Sequence, residues 1–349
     1  MMSLSSSLAL DGRDLSRLDP QDMLGCVRRM SEFAGPAFDR GTAWKPPIPR
    51  PRQILICGMG GSAISGDLAR TLLQNRWAVP ISVARQPQLP AWADDQTLCL
   101  FLSYSGNTAE TLAAFGEATE RGIPAAAIAS GGQLADRCGP REIPVLPVEP
   151  GWQPRAALGH LYFTLLGMLA ALGAPVEPGA AIACLAELAA EYDPGRPDND
   201  AIKLARRLHA SPAAPLVAGV SPSTEAVALR WKGQLNENAK TTALFGVFPE
   251  LTHNEIVNLV ASGEERAVVV LRDAGDPPLL VRQIGQTLGL LREEKVSDPV
   301  EIVASASDPL ARQLELVSLG DHASVYLALL KGLDPTPVAP IVALKARMA

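Results

Sequence analysis

An apolar run, Thr97–Leu102, leads directly into six residues rich in hydroxyl groups, Ser103–Thr108, and then into a helical pattern that begins at Ala109. The run predicts a buried strand, because a strand covered on both faces of a parallel sheet is apolar throughout. A buried strand followed by a short turn and a helix is the repeating unit of α/β folds. This stretch therefore predicts an α/β domain with the turn at the carboxyl edge of its sheet.

The hydroxyl-rich turn is suited to binding an anion. The first backbone N–H groups of a helix have no partner within the helix, and the helix macrodipole adds partial positive charge there. Ser103, Ser105 and Thr108 add hydroxyl groups, and Gly106 lets the backbone approach a ligand closely. Because the turn contains no lysine, we expect a phosphate monoester rather than a nucleotide triphosphate with its metal. The alternative is that Ser105 or Asn107 caps the helix and nothing is bound.

The alternation of strands and helices continues along the chain. Apolar runs predict strands on both sides of an Asp- and Pro-rich linker at residues 193–200, namely Gln53–Cys57, Pro80–Ala84, Thr97–Leu102, Ala125–Ala129, Pro215–Val220, Ala267–Leu271 and Pro299–Val303. Helical patterns fill the gaps, and a further helix is predicted over Pro20–Phe38. We therefore predict two doubly wound α/β domains, residues 20–192 and 193–349, each a parallel sheet flanked by helices. The second half looks like a second copy of the first.

The composition limits the compartment and the partners. The chain has 349 residues, a net charge of −6 and five cysteines. The negative charge argues against nucleic acid and anionic membranes as partners, and we find neither a transmembrane run nor a signal peptide. Scattered cysteines in odd number are typical of a reducing compartment. We expect a cytoplasmic protein that binds neither nucleic acid nor membrane.

A glycine-rich stretch, Gly58–Ala63, follows the first predicted strand and matches the dinucleotide pattern G-x-G-x-x-A. That interpretation requires an acidic residue at the end of the next strand, to bind a ribose hydroxyl. The next strand ends at Arg85 instead, which leaves only a 2′-phosphorylated cofactor open. We expect no nucleotide cofactor.

Several motifs together indicate a family. The stretches Gly58–Asp67 and Ser103–Thr111 resemble a sugar isomerase (SIS) domain, and Pro154-Arg155, Asn236–Lys240 and His253–Ile256 are similar to the bifunctional phosphoglucose/phosphomannose isomerase family. The resemblance extends from about Gly58 to Lys345. It implies two SIS domains in each subunit, a homodimer, and no requirement for a metal or a nucleotide.

The resemblance also implies a role for individual residues. Interconversion of an aldose and a ketose moves a proton between C1 and C2 through a cis-enediol, which requires a base, a cation near the oxyanion and a group that opens the ring. Glu237 is the implied base, Arg155 the oxyanion stabiliser and His253 the ring-opening group, contributed by the neighbouring subunit. Without the resemblance, Glu237 would be read as a solvated helix residue and Arg155 as an ordinary surface arginine.

Other residues are implied to bind the substrate. Lys345 matches a substrate-contacting lysine of the family, although Lys331 is a competing choice and a cationic residue is ordinary at a helix C-terminus. Residues beside the sugar and its 6-phosphate are Gly60, Gly61, Ser62, Ser103, Ser105 and Thr108. The histidines His160, His209 and His322 fall on predicted helices and have no metal-ligand spacing.

The sequence thus predicts a metal-independent isomerase that interconverts glucose 6-phosphate and fructose 6-phosphate. We expect it to interconvert mannose 6-phosphate and fructose 6-phosphate as well. Two alternatives stay open at this point. One is a sugar-phosphate-binding regulator without catalysis, and the other is an isomerase restricted to mannose 6-phosphate or to an amino-sugar phosphate.

Overall fold

The computed structural model describes residues 12–348. They fall into two compact units, each built around one sheet. The first-sheet unit contains residues Arg29–Leu185 and Ala306–Gln313, and the second-sheet unit contains the residues up to Arg28, Ala186–Ser305 and those from Leu314 onward. The domain limits placed at residues 192 and 193 stay a prediction.

The elements are numbered in chain order. The strands are β1 (Gln53–Gly58), β2 (Ile81–Ala84), β3 (Thr97–Leu102), β4 (Ala125–Ala129), β5 (Val145–Pro147), β6 (Leu216–Val220), β7 (Leu244–Phe248), β8 (Val268–Asp273) and β9 (Val300–Ala304). The α-helices are α1 (Gly12–Leu18), α2 (Met23–Arg28), α3 (Met30–Thr42), α4 (Gly60–Leu73), α5 (Ala109–Glu120), α6 (Gly132–Cys138), α7 (Leu158–Ala171), α8 (Gly179–Glu191), α9 (Asp200–His209), α10 (Glu225–Glu237), α11 (Glu255–Ala261), α12 (Pro278–Glu293), α13 (Pro309–Leu330) and α14 (Ala339–Met348). None of these helices combines the length and the apolar character needed to cross a bilayer.

The first sheet has the strand order β2-β1-β3-β4-β5 and is parallel throughout. Its central strand β3 is buried at every residue, as a strand covered on both faces must be. One face packs against α5 and α6, where the rings of Phe101 and Phe115 meet edge to face with centroids 5.3 Å apart. The four strands predicted for this half are confirmed, and β5 is an additional edge strand.

The second sheet is also parallel, with the order β7-β6-β8-β9. This order has the same relation to the chain as β2-β1-β3-β4 in the first sheet. The prediction that the second half repeats the first is therefore confirmed at the level of topology. Its core is a cluster of aliphatic residues from β6 and β8 together with Ile284 and Leu288 of α12.

The predicted helix Pro20–Phe38 is wrong in its limits, because two helices, α2 and α3, occupy this region. The Asp19 carboxylate accepts hydrogen bonds from the backbone N–H groups of Met23 and Leu24, at 2.8 Å each. Asp19 thus does act near the start of a helix, but the helix begins at Met23 rather than at Pro20.

A carboxylate fills the carboxyl edge of the second sheet between its central strands. The Asp276 side chain is fully buried beyond the end of β8 and accepts from Ser223 Oγ at 2.6 Å and from the Asp273 N–H at 3.0 Å. Arg272 Nε lies 3.4 Å from the same carboxylate. Burial raises the pKa of Asp276 above its usual value. A buried, hydrogen-bonded carboxyl group of the chain itself therefore occupies this edge.

Candidate active site

The order of the first sheet creates a crevice where β1 and β3 lie side by side. The chain leaves these two strands toward opposite neighbours, β2 and β4, so the loops at their carboxyl ends diverge. Ligands of open parallel sheets bind at such a switch point. The loop after β1 begins helix α4, and the loop after β3 begins helix α5. The two stretches singled out from the sequence therefore lie beside each other.

Helix α5 begins without a capping side chain from its N-cap residue. Thr108 is the N-cap and makes no side-chain hydrogen bond to the helix. The amide oxygen of Asn107 accepts from the Gln133 N–H at 3.0 Å, and Ser105 Oγ accepts from the Asn107 N–H at 3.3 Å. The alternative in which Asn107 or Ser105 caps this helix is therefore wrong. By contrast, the Asn199 side chain caps α9, accepting from the Ile202 N–H at 2.9 Å.

The turn between β3 and α5, residues Ser103–Thr108, is held in a compact shape. Ser103 is buried and donates from its hydroxyl to Thr108 Oγ1 at 3.1 Å. Gly106 has a φ of +67°, and a Cβ at this position would strike the carbonyl oxygen of Gly131. Glycine is required here because it adopts a positive φ without strain and has no Cβ. The backbone of the turn therefore packs directly on the loop after β4.

Helix α4 begins in the same way. Its N-cap residue Met59 makes no side-chain hydrogen bond to the helix, and Gly60 has a φ of +50°. Ser62 in the first turn is buried and its hydroxyl accepts from the Tyr104 N–H at 3.2 Å, which joins the two loops. A Cβ on Gly61 would lie 2.7 Å from the carbonyl oxygen of Pro154.

Arg155 follows that carbonyl and is only 3% exposed. An arginine keeps its charge even when it is buried, and its planar guanidinium can bind two oxygens. The first-sheet unit thus brings most of the predicted site residues to one edge of its sheet, namely Gly60, Gly61, Ser62, Ser103, Ser105, Thr108 and Arg155. This edge offers two helix N-termini, several hydroxyl groups and one fixed cation, which is a suitable set for a phosphate ester.

Glu237 lies in the second-sheet unit, as the half-buried last residue of α10. Its helix is held by a buried polar network. Arg230 donates to the two oxygens of Asp321 at 2.9 and 2.6 Å, and Gln234 Nε2 donates to Asp321 Oδ1 at 2.9 Å. The Asn238 side chain donates to Ser324 Oγ at 2.9 Å. One face of α10 is thereby fixed on α13 up to the residue after Glu237.

The chain beyond Glu237 is fixed by lysines. Lys331 Nζ donates to the Ala239 carbonyl at 2.9 Å and to Thr241 Oγ1 at 2.8 Å. Lys240 Nζ donates to the carbonyls of Asn238, Asp334 and Pro335 at 3.1, 2.8 and 3.0 Å. Since an ammonium group has three donors, both lysines are engaged by the protein itself. This favours Lys345 over Lys331 as a substrate contact.

His253 and Lys345 are both exposed residues of the second-sheet unit. His253 ends a short 3₁₀-helix, Glu250–His253. It borders a groove of about 590 Å³ that is also lined by Leu279, Leu280 and Arg282. Lys345 lies in the last turn of α14, and the earlier part of that helix carries the exposed apolar residues Ile341, Val342 and Leu344.

Comparison with known proteins relates this arrangement to an enzyme family. The chain is 37% identical over 305 residues to the bifunctional phosphoglucose/phosphomannose isomerase of Caldicellulosiruptor bescii, covering 85% of this chain and 89% of that protein. It is 34% identical to the enzyme of the same name from Aquifex aeolicus, over 85% of this chain and 90% of that protein. The chain belongs to this family.

Two further comparisons agree with this membership. Residues 197–348 match the model of the bacterial phospho-glucose isomerase C-terminal SIS domain. Among solved structures, a hypothetical protein from Thermus thermophilus superposes with a TM-score of 0.68, covering 97% of this chain and 90% of that chain at 16% identity. That level of identity supports the fold alone, and the fold is that of two parallel α/β sheets.

Of the histidines not assigned to the family site, His160 and His322 are buried, whereas His209 is exposed. Burial lowers the pKa of His160 and lowers that of His322 to about 4, and the Nδ1 of His322 lies 2.8 Å from the Ser318 carbonyl. Within residues 12–348, no three His, Cys, Asp or Glu side chains are grouped as metal ligands would be.

The sequence pattern indicated Asn107 only as a possible helix cap and gave no role to Tyr104. Asn107 links the turn to the first turn of α6, and Tyr104 forms hydrogen bonds with Ser62 and with the backbone of Glu149. Both lie inside the motif that drew attention from the start, but their partners are distant in the sequence. The sequence feature that could have indicated a role for Tyr104 is its position as a large aromatic residue between two serines.

Proposed function

We propose that this protein interconverts glucose 6-phosphate and mannose 6-phosphate with fructose 6-phosphate, through a cis-enediol intermediate and without a metal ion. The observation that carries the proposal is the pairing of two helix N-termini, those of α4 and α5, at the β1/β3 switch point of a chain from this family. Neither N-cap residue makes a side-chain cap hydrogen bond. Both helix starts are suited to a ligand that is an anion.

The phosphate group of the substrate is bound in the first-sheet unit. Backbone N–H groups at the two helix starts and the hydroxyls of Ser105 and Thr108 donate to its oxygens, while Ser103, whose hydroxyl donates to Thr108 Oγ1, orients the Thr108 hydroxyl. Because this group is remote from the reacting carbons, the same contacts serve all three hexose phosphates. Binding energy from such a remote group is available to position the reacting atoms.

Proton transfer is assigned to Glu237. As a carboxylate it accepts the proton from C2 of the aldose and returns it to C1, which a single base on one face of a cis-enediol can do. Arg155 is the cation near the developing oxyanion, where a fixed guanidinium charge in a water-poor site has its largest effect. Lys345 is assigned a further contact with the substrate.

Ring opening is assigned to His253, because an imidazole donates and accepts protons near neutral pH. We propose a cytoplasmic homodimer in which His253 acts in the site of the partner subunit. The exposure of His253 beside an apolar groove supports this assignment, since exposed apolar surface is a common feature of interfaces.

The central test is the variant Glu237→Gln, assayed for fructose 6-phosphate with a coupled dehydrogenase. We expect turnover to fall by about 10²- to 10⁴-fold, the usual contribution of a positioned general base, while calorimetric binding of the sugar phosphate is retained. Glu225→Gln is the matched control, because Glu225 lies on the same helix in its first turn and should keep near-normal turnover. Near-normal turnover of Glu237→Gln would remove Glu237 from the role.

Progress curves with glucose, mannose and glucosamine 6-phosphates separate the proposal from its alternatives. We expect the first two to be converted at rates that EDTA does not change. Conversion of mannose 6-phosphate or glucosamine 6-phosphate alone would support a restricted isomerase. Binding of all three without any conversion would support a regulator.

Shared sites are tested by mixing subunits. Neither Glu237→Gln nor His253→Ala should be active by itself, but a mixture should regain some activity, because a mixed dimer has one site with both groups intact. No recovery, with subunit exchange shown by mass spectrometry, would contradict sharing of His253.

A further inference from the structure

Tyr104 connects the loops at the carboxyl edge of the first sheet. It lies two residues beyond the end of β3, is 6% exposed, and its three polar groups bind three different segments. Its N–H donates to Ser62 Oγ at 3.2 Å in the first turn of α4. Its carbonyl accepts from the N–H and the hydroxyl of Ser130, at 2.9 and 2.6 Å, in the loop after β4.

The hydroxyl of Tyr104 binds the third segment, residues 148–157, which connects β5 to α7. It donates to the Glu149 carbonyl at 2.8 Å and accepts from the Trp152 N–H at 2.8 Å. These two backbone groups lie on either side of Gly151, which has a φ of +95° and turns the chain. The Tyr104 hydroxyl thus provides the hydrogen-bond partner of the Glu149 carbonyl and of the Trp152 N–H, and it fixes the chain on both sides of this turn.

Arg155 lies three residues beyond Trp152, where the segment passes over Gly61. The position of the turn therefore determines where the guanidinium group is presented. We infer that Tyr104 is a positioning residue, whose hydroxyl fixes residues 149–152 so that Arg155 is aligned with the oxyanion of the substrate. This inference rests on the proposed function, because it assigns a residue to that reaction.

The phosphate contacts do not depend on this hydroxyl. The turn of residues 103–108 is held by other hydrogen bonds, from the Gly106 N–H to the Ser103 carbonyl at 2.9 Å and from the Leu134 N–H to the Gly106 carbonyl at 2.9 Å. Loss of the Tyr104 hydroxyl should therefore affect the chemical step more than substrate binding. A misplacement of about 1 Å in a catalytic group can lower the rate by about 100-fold.

The kinetic test is Tyr104→Phe, with Tyr162→Phe as the matched control. Tyr162 is also a buried tyrosine of the first-sheet unit, and its hydroxyl donates to Gln313. For Tyr104→Phe we expect kcat to fall about 10- to 100-fold while KM for fructose 6-phosphate changes by less than about threefold. The control should keep both constants. An unchanged kcat, or an increase in KM alone, would overturn the inference.

A double-mutant cycle shows whether Tyr104 acts through Arg155. If it does, the combined variant Tyr104→Phe with Arg155→Lys should lose little more activity than Arg155→Lys alone, because the effects of two residues that act through each other are not additive. If the fold-loss of activity in the combined variant equals the product of the two single fold-losses, the two residues act independently and the inference is overturned.

Hydrogen exchange tests the positioning without reference to turnover. In Tyr104→Phe, peptides covering residues 149–157 should exchange at least about tenfold faster, since the Trp152 N–H loses its partner, whereas Tyr162→Phe should leave them unchanged. Unchanged exchange would overturn the inference even if the wild-type enzyme is active. If the wild-type protein converts no sugar phosphate but exchange is still faster in Tyr104→Phe, then the proposed function is wrong and the positioning of residues 149–152 by Tyr104 is not.

Discussion

Replacing Asp321 by alanine should destabilise the protein more than most single substitutions do. The side chains of Arg230 and Asp321 are 3% and 1% exposed, and their charged groups are 2.6 Å apart. Removing one partner of such a pair leaves an uncompensated buried charge, which costs about 3–5 kcal/mol. The Gln234 amide also loses an acceptor, which adds about 1 kcal/mol or more. We therefore expect the free energy of unfolding to fall by about 4–6 kcal/mol.

The assay is denaturation by urea at pH 7, followed by circular dichroism. Lys203→Ala is the control, because the Lys203–Asp200 ion pair is 59% and 65% exposed and such pairs contribute less than about 1 kcal/mol. The pair of substitutions Arg230→Met with Asp321→Leu removes both charges. It should recover at least about 2 kcal/mol relative to Asp321→Ala, because an apolar pair leaves no buried charge unpaired.

Two results would refute this reasoning. One is a loss of less than about 1 kcal/mol in Asp321→Ala, which would mean that water or another group compensates the charge of Arg230. The other is a double variant less stable than the single one, which would mean that shape rather than charge holds the two helices together.

Three further outcomes follow from the structure. If the turn of residues 103–108 binds the phosphate as proposed, Gly106→Ala should raise KM for the hexose phosphate at least about tenfold in steady-state assays, because the added Cβ strikes a backbone carbonyl and displaces that turn. Burial lowers the pKa of the His322 imidazole from 6.5 to about 4. Between these two pH values the imidazole is protonated in the unfolded chain but not in the native chain. Stability should decrease as pH falls through this window, by about 3 kcal/mol in total, as measured by denaturation at each pH. Lys345→Met should lower kcat/KM about tenfold or more, whereas Lys331→Met should mainly lower the thermal midpoint, because Lys331 binds the protein itself.

Each of these outcomes has a result that would contradict it. A normal KM for Gly106→Ala would mean that the phosphate binds elsewhere. The pH dependence should disappear in His322→Asn and persist in His209→Gln, because His209 is exposed, and persistence in both would assign it to other groups. A larger loss of kcat/KM in Lys331→Met than in Lys345→Met would reverse the assignment of the two lysines.

The central strands could be predicted from the sequence, but two of the edge strands could not. β1, β3, β4 and β6 are buried on both faces, so each is a nearly continuous apolar run. β5 has only three residues and ends in proline, and β7 includes a glycine and an exposed leucine. A strand at an edge needs less apolar surface, so these two carry no such signal.

The site was partly predictable for a similar reason. The hydroxyls of Ser103 and Thr108 and the N-terminus of α5 are adjacent in sequence, so strand, turn and helix placed them together. The contacts of Tyr104 with residues 149 and 152 depend on how distant loops fold back over the sheet. Local patterns do not encode such contacts.

Asp276 distinguishes the carboxyl edge of the second sheet from that of the first, despite their shared strand order. At the carboxyl edge between β6 and β8, where a ligand of an open parallel sheet would enter, the second sheet holds a carboxyl group of its own chain, which accepts from Ser223 Oγ and from the Asp273 N–H. The side chain of Asp276 thus takes up the place that an external anion would need in this crevice, whereas the crevice between β1 and β3 has glycines and hydroxyl-bearing residues at the same position.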